Sequence, residues 1–271
     1  MIRTIIKKLL GIAGYSVIRG GNRPFYLDHG YSLGYDYEEE AEKQIKIIRK
    51  NTMLPYSNLL TLFEQALFCE KNEIEGDYVE CGVWKGGAIG LMALVNLHYG
   101  KTRRNIHLFD AFEEICAPDE SIDGKKAIEE VKSLMGKNAK VSGELISLKG
   151  VYDKFGGPGT IEENKKLFEE TIHYPTGNIV YHKGWFQDTV PQSSRTIEKI
   201  AILRLDGDWY ASTKVCLDNL YDKVVIGGII IIDDYGSYEG CKKAVDAFIS
   251  NRKIKTFINY SSMHCRYWIK N

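Results

Sequence analysis

The 271-residue sequence predicts an α/β fold built on a doubly wound, mostly parallel sheet of seven strands. Three observations predict it. Short β-branched runs alternate with stretches of helical periodicity from residue 77 onward. Two of those runs, 200–205 and 229–232, carry no charge except Arg204, as strands buried on both faces of a parallel sheet do. Each of the two then stops at a pair of carboxylates, L-D-G-D at 205–208 and I-D-D-Y at 232–235.

Taken in order, residues 1–50 read as an N-terminal amphipathic helix and a helical extension. Ile2, Ile5, Ile6, Leu9, Leu10 and Ala13 share one helical face, opposite Arg3, Lys7 and Lys8, and no acid precedes Asp28. The apolar run is too short to span a bilayer, and no small-residue cleavage site follows it. Two placements are expected for residues 1–20: peripheral contact with an anionic membrane surface, or packing on the domain or a dimer partner. Residues 28–50 turn from acidic to basic and read as a solvated helix or lid.

Residues 51–271 read as one domain. After Pro55, Leu59, Leu60, Leu62, Phe63, Ala66 and Leu67 follow a helical pattern. Strands are expected at 77–81, 106–109, 179–181, 200–205 and 229–232, with helices at 88–97, 212–224 and 241–249. Two strand-like runs, 256–260 and 265–269, close the sheet with an antiparallel strand. The segment 113–177 is polar and Gly-rich, helical at 125–134 and 161–172, and longer than a crossover needs; it reads as a lid over a substrate.

Composition narrows the function. Lys plus Arg and Asp plus Glu are 36 each, so no net field points to nucleic acid. The six cysteines show no C-x-x-C spacing and read as reduced thiols of a cytoplasmic protein. Tyr (17) outnumbers Phe (10), which suits a pocket for polar, ring-shaped ligands.

A right-handed crossover makes strands 200–205 and 229–232 parallel, so both acid pairs emerge at one C-terminal edge. Asp206, Asp208, Asp233 and Asp234 therefore converge, and their repulsion calls for a cation. Carboxylate ligands suit Mg²⁺, and the lack of clustered His or Cys argues against zinc. Taken singly, each aspartate also fits a helix cap or a turn.

The turn after the first strand reads V-E-C-G-V-W-K-G-G, not the G-x-G-x-x-G that accommodates a pyrophosphate. Gly82 lets the backbone approach a ligand there. Glu80 repels phosphate and favours a cation such as the sulfonium or α-amino group of S-adenosylmethionine; its other reading is a salt-bridged strand end. Asp110, closing the second strand, is placed for ribose hydroxyls, and Gln187 or Asp188 for an adenine amino group. Asp188 and Thr189 also fit a helix N-cap.

Five ordered motifs carry a resemblance: N-T-M (51–53), G-D-Y-V-E-C-G-V-W-K-G-G (76–87), K-G-W-F-Q-D-T-V-P (183–191), L-R-L-D-G-D-W-Y-A-S-T (203–213) and G-G-I-I-I-I-D-D-Y (227–235). Over about residues 50–270 the chain resembles the macrocin O-methyltransferase family. The resemblance implies a class I, Rossmann-like methyltransferase that uses S-adenosyl-L-methionine and Mg²⁺ to methylate a sugar hydroxyl on a small-molecule or glycan acceptor. It implies Asp206, Asp233 and Asp234 as metal ligands, with Asp208 near the acceptor. Cofactor contacts fall on Thr52, Met53, Glu80, Gly82, Val83, Asp110, Gln187 and Asp188, and a homo-oligomer is expected. One departure stands out: the family's D-S-F-E-G-L-P is D-A-F-E-E-I here, with Ala111 in place of Ser.

Methyl transfer to a hydroxyl needs a base, for which Asp208 is preferred and Asp206 competes, with His182 and His264 as further candidates. Alternatives of other kinds are a catechol-type acceptor, a haloacid-dehalogenase-like phosphatase built on L-D-G-D, and a non-catalytic accessory protein of polysaccharide assembly.

Overall fold

The computed structural model describes residues 37–271 except 137, 138 and 140. The basic helix expected over residues 1–20 lies outside the described residues. Among the described residues, two α-helices precede the sheet. In α1 (Glu38–Ile48), acids fill the first turn and Lys46 the last, as the helix dipole favours. Next, α2 (Tyr56–Lys71) starts after Pro55, whose extended backbone cannot belong to the helix. The alternation follows as β1 (Asp77–Cys81), α3 (Gly87–Tyr99), β2 (Ile106–Asp110), α4 (Gly124–Met135), α5 (Ile161–Lys166) and β3 (Ile179–Lys183). It continues with α6 (Phe186–Ser193), β4 (Ile200–Leu205), α7 (Tyr210–Leu220), β5 (Val224–Ile232) and α8 (Glu239–Asn251). The chain ends in β6 (Asn259–Tyr260) and β7 (Arg266–Ile269).

The seven strands lie in the order β3-β2-β1-β4-β5-β7-β6. The first five are parallel, and β7 runs antiparallel to both β5 and β6. The strand expected over 256–260 shrinks to two residues. Phe257 is 79% exposed, so no burial holds its flank against β7. Between β1 and β4 the winding reverses direction, and that reversal opens a crevice at the C-terminal ends of these strands.

Side-chain alternation divides the central strands between two faces. Val79, Cys81, Leu203, Leu205, Ile230 and Ile232 join residues of α7 and α8 in one core. Glu80 and Tyr78 point the other way: Glu80 meets the Ile89 N–H of α3, and Tyr78 meets Glu70 of α2. Residues 87–96 of α3 are all buried, which explains why that helix is apolar on every side. The insert makes a small core of its own, in which Ala127, Val131, Leu148 and Val151 pack with Trp209 from the loop after β4. It is thereby seated on the site.

Candidate active site

The turn after β1 is shaped by one glycine and one carboxylate. Gly82 has φ +90°, and a Cβ there would fall 1.7 Å from the carbonyl oxygen of Asp206, so only glycine lets the ends of β1 and β4 meet. From the end of β2, Asp110 Oδ2 accepts from the N–H groups of Val83 (2.8 Å) and Trp84 (3.1 Å), while Oδ1 accepts from Phe112 (2.7 Å). Burial pushes Asp110 up to about 6, against the lowering effect of these three bonds. Trp84, at φ +46°, is fixed from the insert: its carbonyl accepts from Asn164 Nδ2 (2.9 Å) and its indole donates to the Gly157 carbonyl (3.1 Å).

Two cavities open at this edge. One is lined by Asp110, Ala111, Tyr152, Trp185, Phe186 and Gln187. The other is lined by Thr52, Asn58, Asp233, Asp234, Ser237 and His264. Met53, Gly82, Trp84, Asp206 and Asp208 line both, so the two form one continuous cleft.

The carboxylates converge in that cleft. Ligand oxygens of Asp206, Asp208 and Asp234 lie within 4.8 Å of one another. The Asp208 N–H donates to Asp234 Oδ2 at 3.1 Å, and Asp208 itself holds φ +58°, a region that Asp tolerates better than most side chains. Burial and the neighbouring acids raise Asp208 and Asp234 well above the usual carboxylate range; burial and Asp233 push Asp206 up to about 6. Arg204 is the cation among them. Its Nη1 pairs with Glu80 and with Asp206 (2.9 Å), and its Nη2 lies 2.7 Å from Asp233 Oδ1. That last contact is close but misaligned, leaving Asp233 Oδ1 buried without a proper hydrogen bond. Burial alone would lower the Arg204 pKa, but Asp233, Asp206 and Glu80 outweigh it and keep the guanidinium charged.

A hard divalent cation fits this set. The donors are all carboxylate oxygens, their charges repel one another, and one buried oxygen lacks an aligned partner.

Most residues singled out in the sequence reach the cleft, with two differences. Thr52, Met53, Gly82, Val83, Asp110 and Gln187 line it. Asp188 does not: α6 begins at Phe186, so Asp188 falls in its first turn, is exposed, and is absent from the lining of both cavities. Glu80 lines it as well, at 1% exposure, and is also a salt-bridged strand end, with one oxygen paired with Arg204 and the other accepting from Ile89 N–H at 2.9 Å. Asp208 takes the place in the tight cluster that the resemblance gives to Asp233, because Asp233 turns toward Arg204. Of the two histidines, His264 lines the cleft, hydrogen-bonded to Ser237 (3.0 Å), while His182 stacks on Phe109 (3.9 Å) among sheet residues. Sequence reasoning missed Arg204, Tyr152 and Asn58. Only Arg204 left a signal, as the lone charge in an apolar strand.

Known proteins resemble this chain. The profile of the family described as Macrocin-O-methyltransferase (TylF) matches residues 49–270. Demethyldecarbamoylnovobiocin O-methyltransferase of Streptomyces niveus is 36% identical over 65% of this chain, a match that spans 59% of that enzyme's length. The 8-demethyl-8-(2,3-dimethoxy-alpha-L-rhamnosyl)-tetracenomycin-C 4'-O-methyltransferase of Streptomyces olivaceus is 30% identical, over 79% of this chain and 69% of its own. Among solved structures, the O-methyltransferase NovP superposes with a TM-score of 0.65 at 29% identity, covering 82% of each chain.

Proposed function

The chain belongs to the macrocin O-methyltransferase family, an enzyme family, and on that premise we propose that it methylates a sugar hydroxyl with S-adenosylmethionine and a divalent ion such as Mg²⁺. The observation that carries this reading is the acidic cluster of Asp206, Asp208 and Asp234, set in a cleft that runs past Gly82 to Asp110. The Streptomyces olivaceus relative is named for a rhamnosyl substrate, which supports a sugar as the acceptor class.

When bound, the cofactor supplies a methyl group on a sulfonium, and the ion lowers the pKa of an acceptor hydroxyl. The chain's own residues orient and deprotonate. Asp110 fixes the turn through its backbone bonds and has lone-pair capacity left for ribose hydroxyls. Gln187 offers a carboxamide at the far end of the same cavity. Asp208 would be the base, with Asp206, Asp234 and the adjacent Asp233 left to hold the ion: Asp206 already accepts from Arg204, whereas the Asp208 carboxylate pairs with no Lys or Arg among the described residues. Asp208 would take the acceptor's hydroxyl proton as the cofactor, when bound, gave its methyl group to that oxygen and became S-adenosylhomocysteine.

Release of S-adenosylhomocysteine, measured with deoxysugar nucleotides, glycosylated natural products and catechols, tests the reading. Turnover should appear with a sugar acceptor, stop in EDTA and return with Mg²⁺. Full turnover in EDTA would remove the metal, and turnover of catechols alone would remove the sugar.

A further inference from the structure

We propose that Glu80 and Arg204 are positioning residues for the metal site: a buried ion pair that fixes the orientation of Asp206, a member of the acidic cluster, and of Asp233 beside it. The inference rests on the metal reading above.

Its first support is cost. Arg204 is 2% exposed and Glu80 1% exposed, both inside the sheet. Burying an ion pair there carries a desolvation penalty that a hydrophobic pair of similar volume avoids, often with a gain in stability. Stability alone therefore gives no reason for an arginine in the middle of β4, where its neighbours are Leu203 and Leu205.

The second support is register. Glu80 and Arg204 are direct partners across β1 and β4, and Arg204 lies two residues before Asp206. On the far side β4 pairs with β5, with Leu205 opposite Ile232, so Asp233 leaves β5 next to Asp206. A guanidinium anchored at Glu80 thus reaches Asp206 with one nitrogen and Asp233 with the other. The planar fork suits this task; a lysine has one nitrogen and cannot serve three acids in this geometry.

The third support is charge. The guanidinium alone would draw Asp206 and Asp233 toward itself and repel a divalent ion. Glu80 offsets that charge from the β1 side, where its second oxygen is held by the Ile89 N–H. The cluster keeps its negative charge for a metal while Asp206 and the adjacent Asp233 are held in place.

The test is calorimetric binding of Mn²⁺, and separately of S-adenosylhomocysteine, to the full chain at mildly alkaline pH. Glu80→Gln is compared with wild type and with Glu80→Asp, and each is checked by thermal unfolding. We expect Glu80→Gln to weaken Mn²⁺ roughly 10- to 100-fold, the range seen when a group supporting metal ligands is removed. S-adenosylhomocysteine affinity should stay near wild type, and Glu80→Asp, which keeps the charge, should recover most of the Mn²⁺ affinity. Unchanged Mn²⁺ affinity in folded Glu80→Gln would overturn the inference and leave the pair structural. A loss confined to S-adenosylhomocysteine would overturn it in favour of direct cofactor contact. Failure of wild type to bind Mn²⁺ would instead sink the metal reading, and this inference with it. If Glu80→Gln does not fold, Arg204→Lys carries the same comparison: retained Mn²⁺ affinity there would refute positioning by the fork.

Discussion

Two arginines, Arg104 half-buried and Arg204 buried, lie beside β1, and their surroundings differ. Arg104 faces a single acid: its Nε donates to Glu70 Oε1 at 2.7 Å and its Nη2 to Oε2 at 3.3 Å. The rest of that network is closed, since Glu70 also accepts from Asn96 Nδ2 (3.0 Å) and Tyr78, while Tyr174 donates to Asn96 (2.6 Å). Arg204, at the other end of the same strand, contacts three acids, with two more close by. The first cluster balances its charges and satisfies its polar atoms. The second has surplus acid and a buried oxygen without an aligned partner. A balanced buried network holds a fold together, whereas an unbalanced one is waiting for a ligand.

The comparison breaks most visibly at Asp208. Asp208→Asn removes the base and one of the repelling charges together. Turnover should fall by roughly 10²–10⁴-fold. The melting temperature should hold or rise, because functional sites commonly give up stability, with gains of about 0.5–2 kcal/mol when such a cost is relieved. A variant that melts earlier but keeps its turnover would place Asp208 with the structural acids.

The opposite result is expected at the balanced cluster. Arg104→Met leaves Glu70 buried and unpaired, which costs about 3–5 kcal/mol. A drop in melting temperature on the order of 10 °C should follow. Turnover per folded molecule should not change, because no member of this cluster lines the cleft. Loss of turnover without loss of stability would show that the two arginines are not the different devices described here.

Much of this was readable from the residues. β-Branched runs revealed β1, β4 and β5, and the parallel crossover brought their terminal acids together. What stayed hidden depends on register. Arg204 showed only as a charge in an apolar run; that it faces Glu80 follows from the pairing of β1 with β4, which no local pattern encodes. Likewise, α6 begins two residues ahead of Asp188, turning Gln187 rather than Asp188 into the cleft. The insert was visible as a long polar segment, but its small core around Trp209 involves residues far apart in the chain. That docking is what brings Tyr152 to the cleft wall.

A third polar set gives the smallest effect and sharpens the comparison. On β1, β2 and β3, Asp77 Oδ2 lies 3.1 Å from His107 Nε2, and His107 Nδ1 lies 3.0 Å from His182 Nε2. The His182 ring stacks on Phe109 at 3.9 Å. Burial first, and His107 second, lower the His182 pKa from 6.5 to about 4. The unfolded chain therefore binds a proton at His182 between about 6.5 and 4 while the folded chain does not. Stability from this group is complete above pH 6.5 and is lost as pH falls through about 4. His182→Phe keeps a ring to stack on Phe109 and removes the titration. Relative to that variant, wild type should lose a few degrees of melting temperature across this window, on the order expected for about 1 kcal/mol in a chain of this size. Above pH 7 the difference should be flat. A difference that is the same at both ends would mean that His182 titrates normally, and that this chain of groups belongs with the balanced network of Arg104.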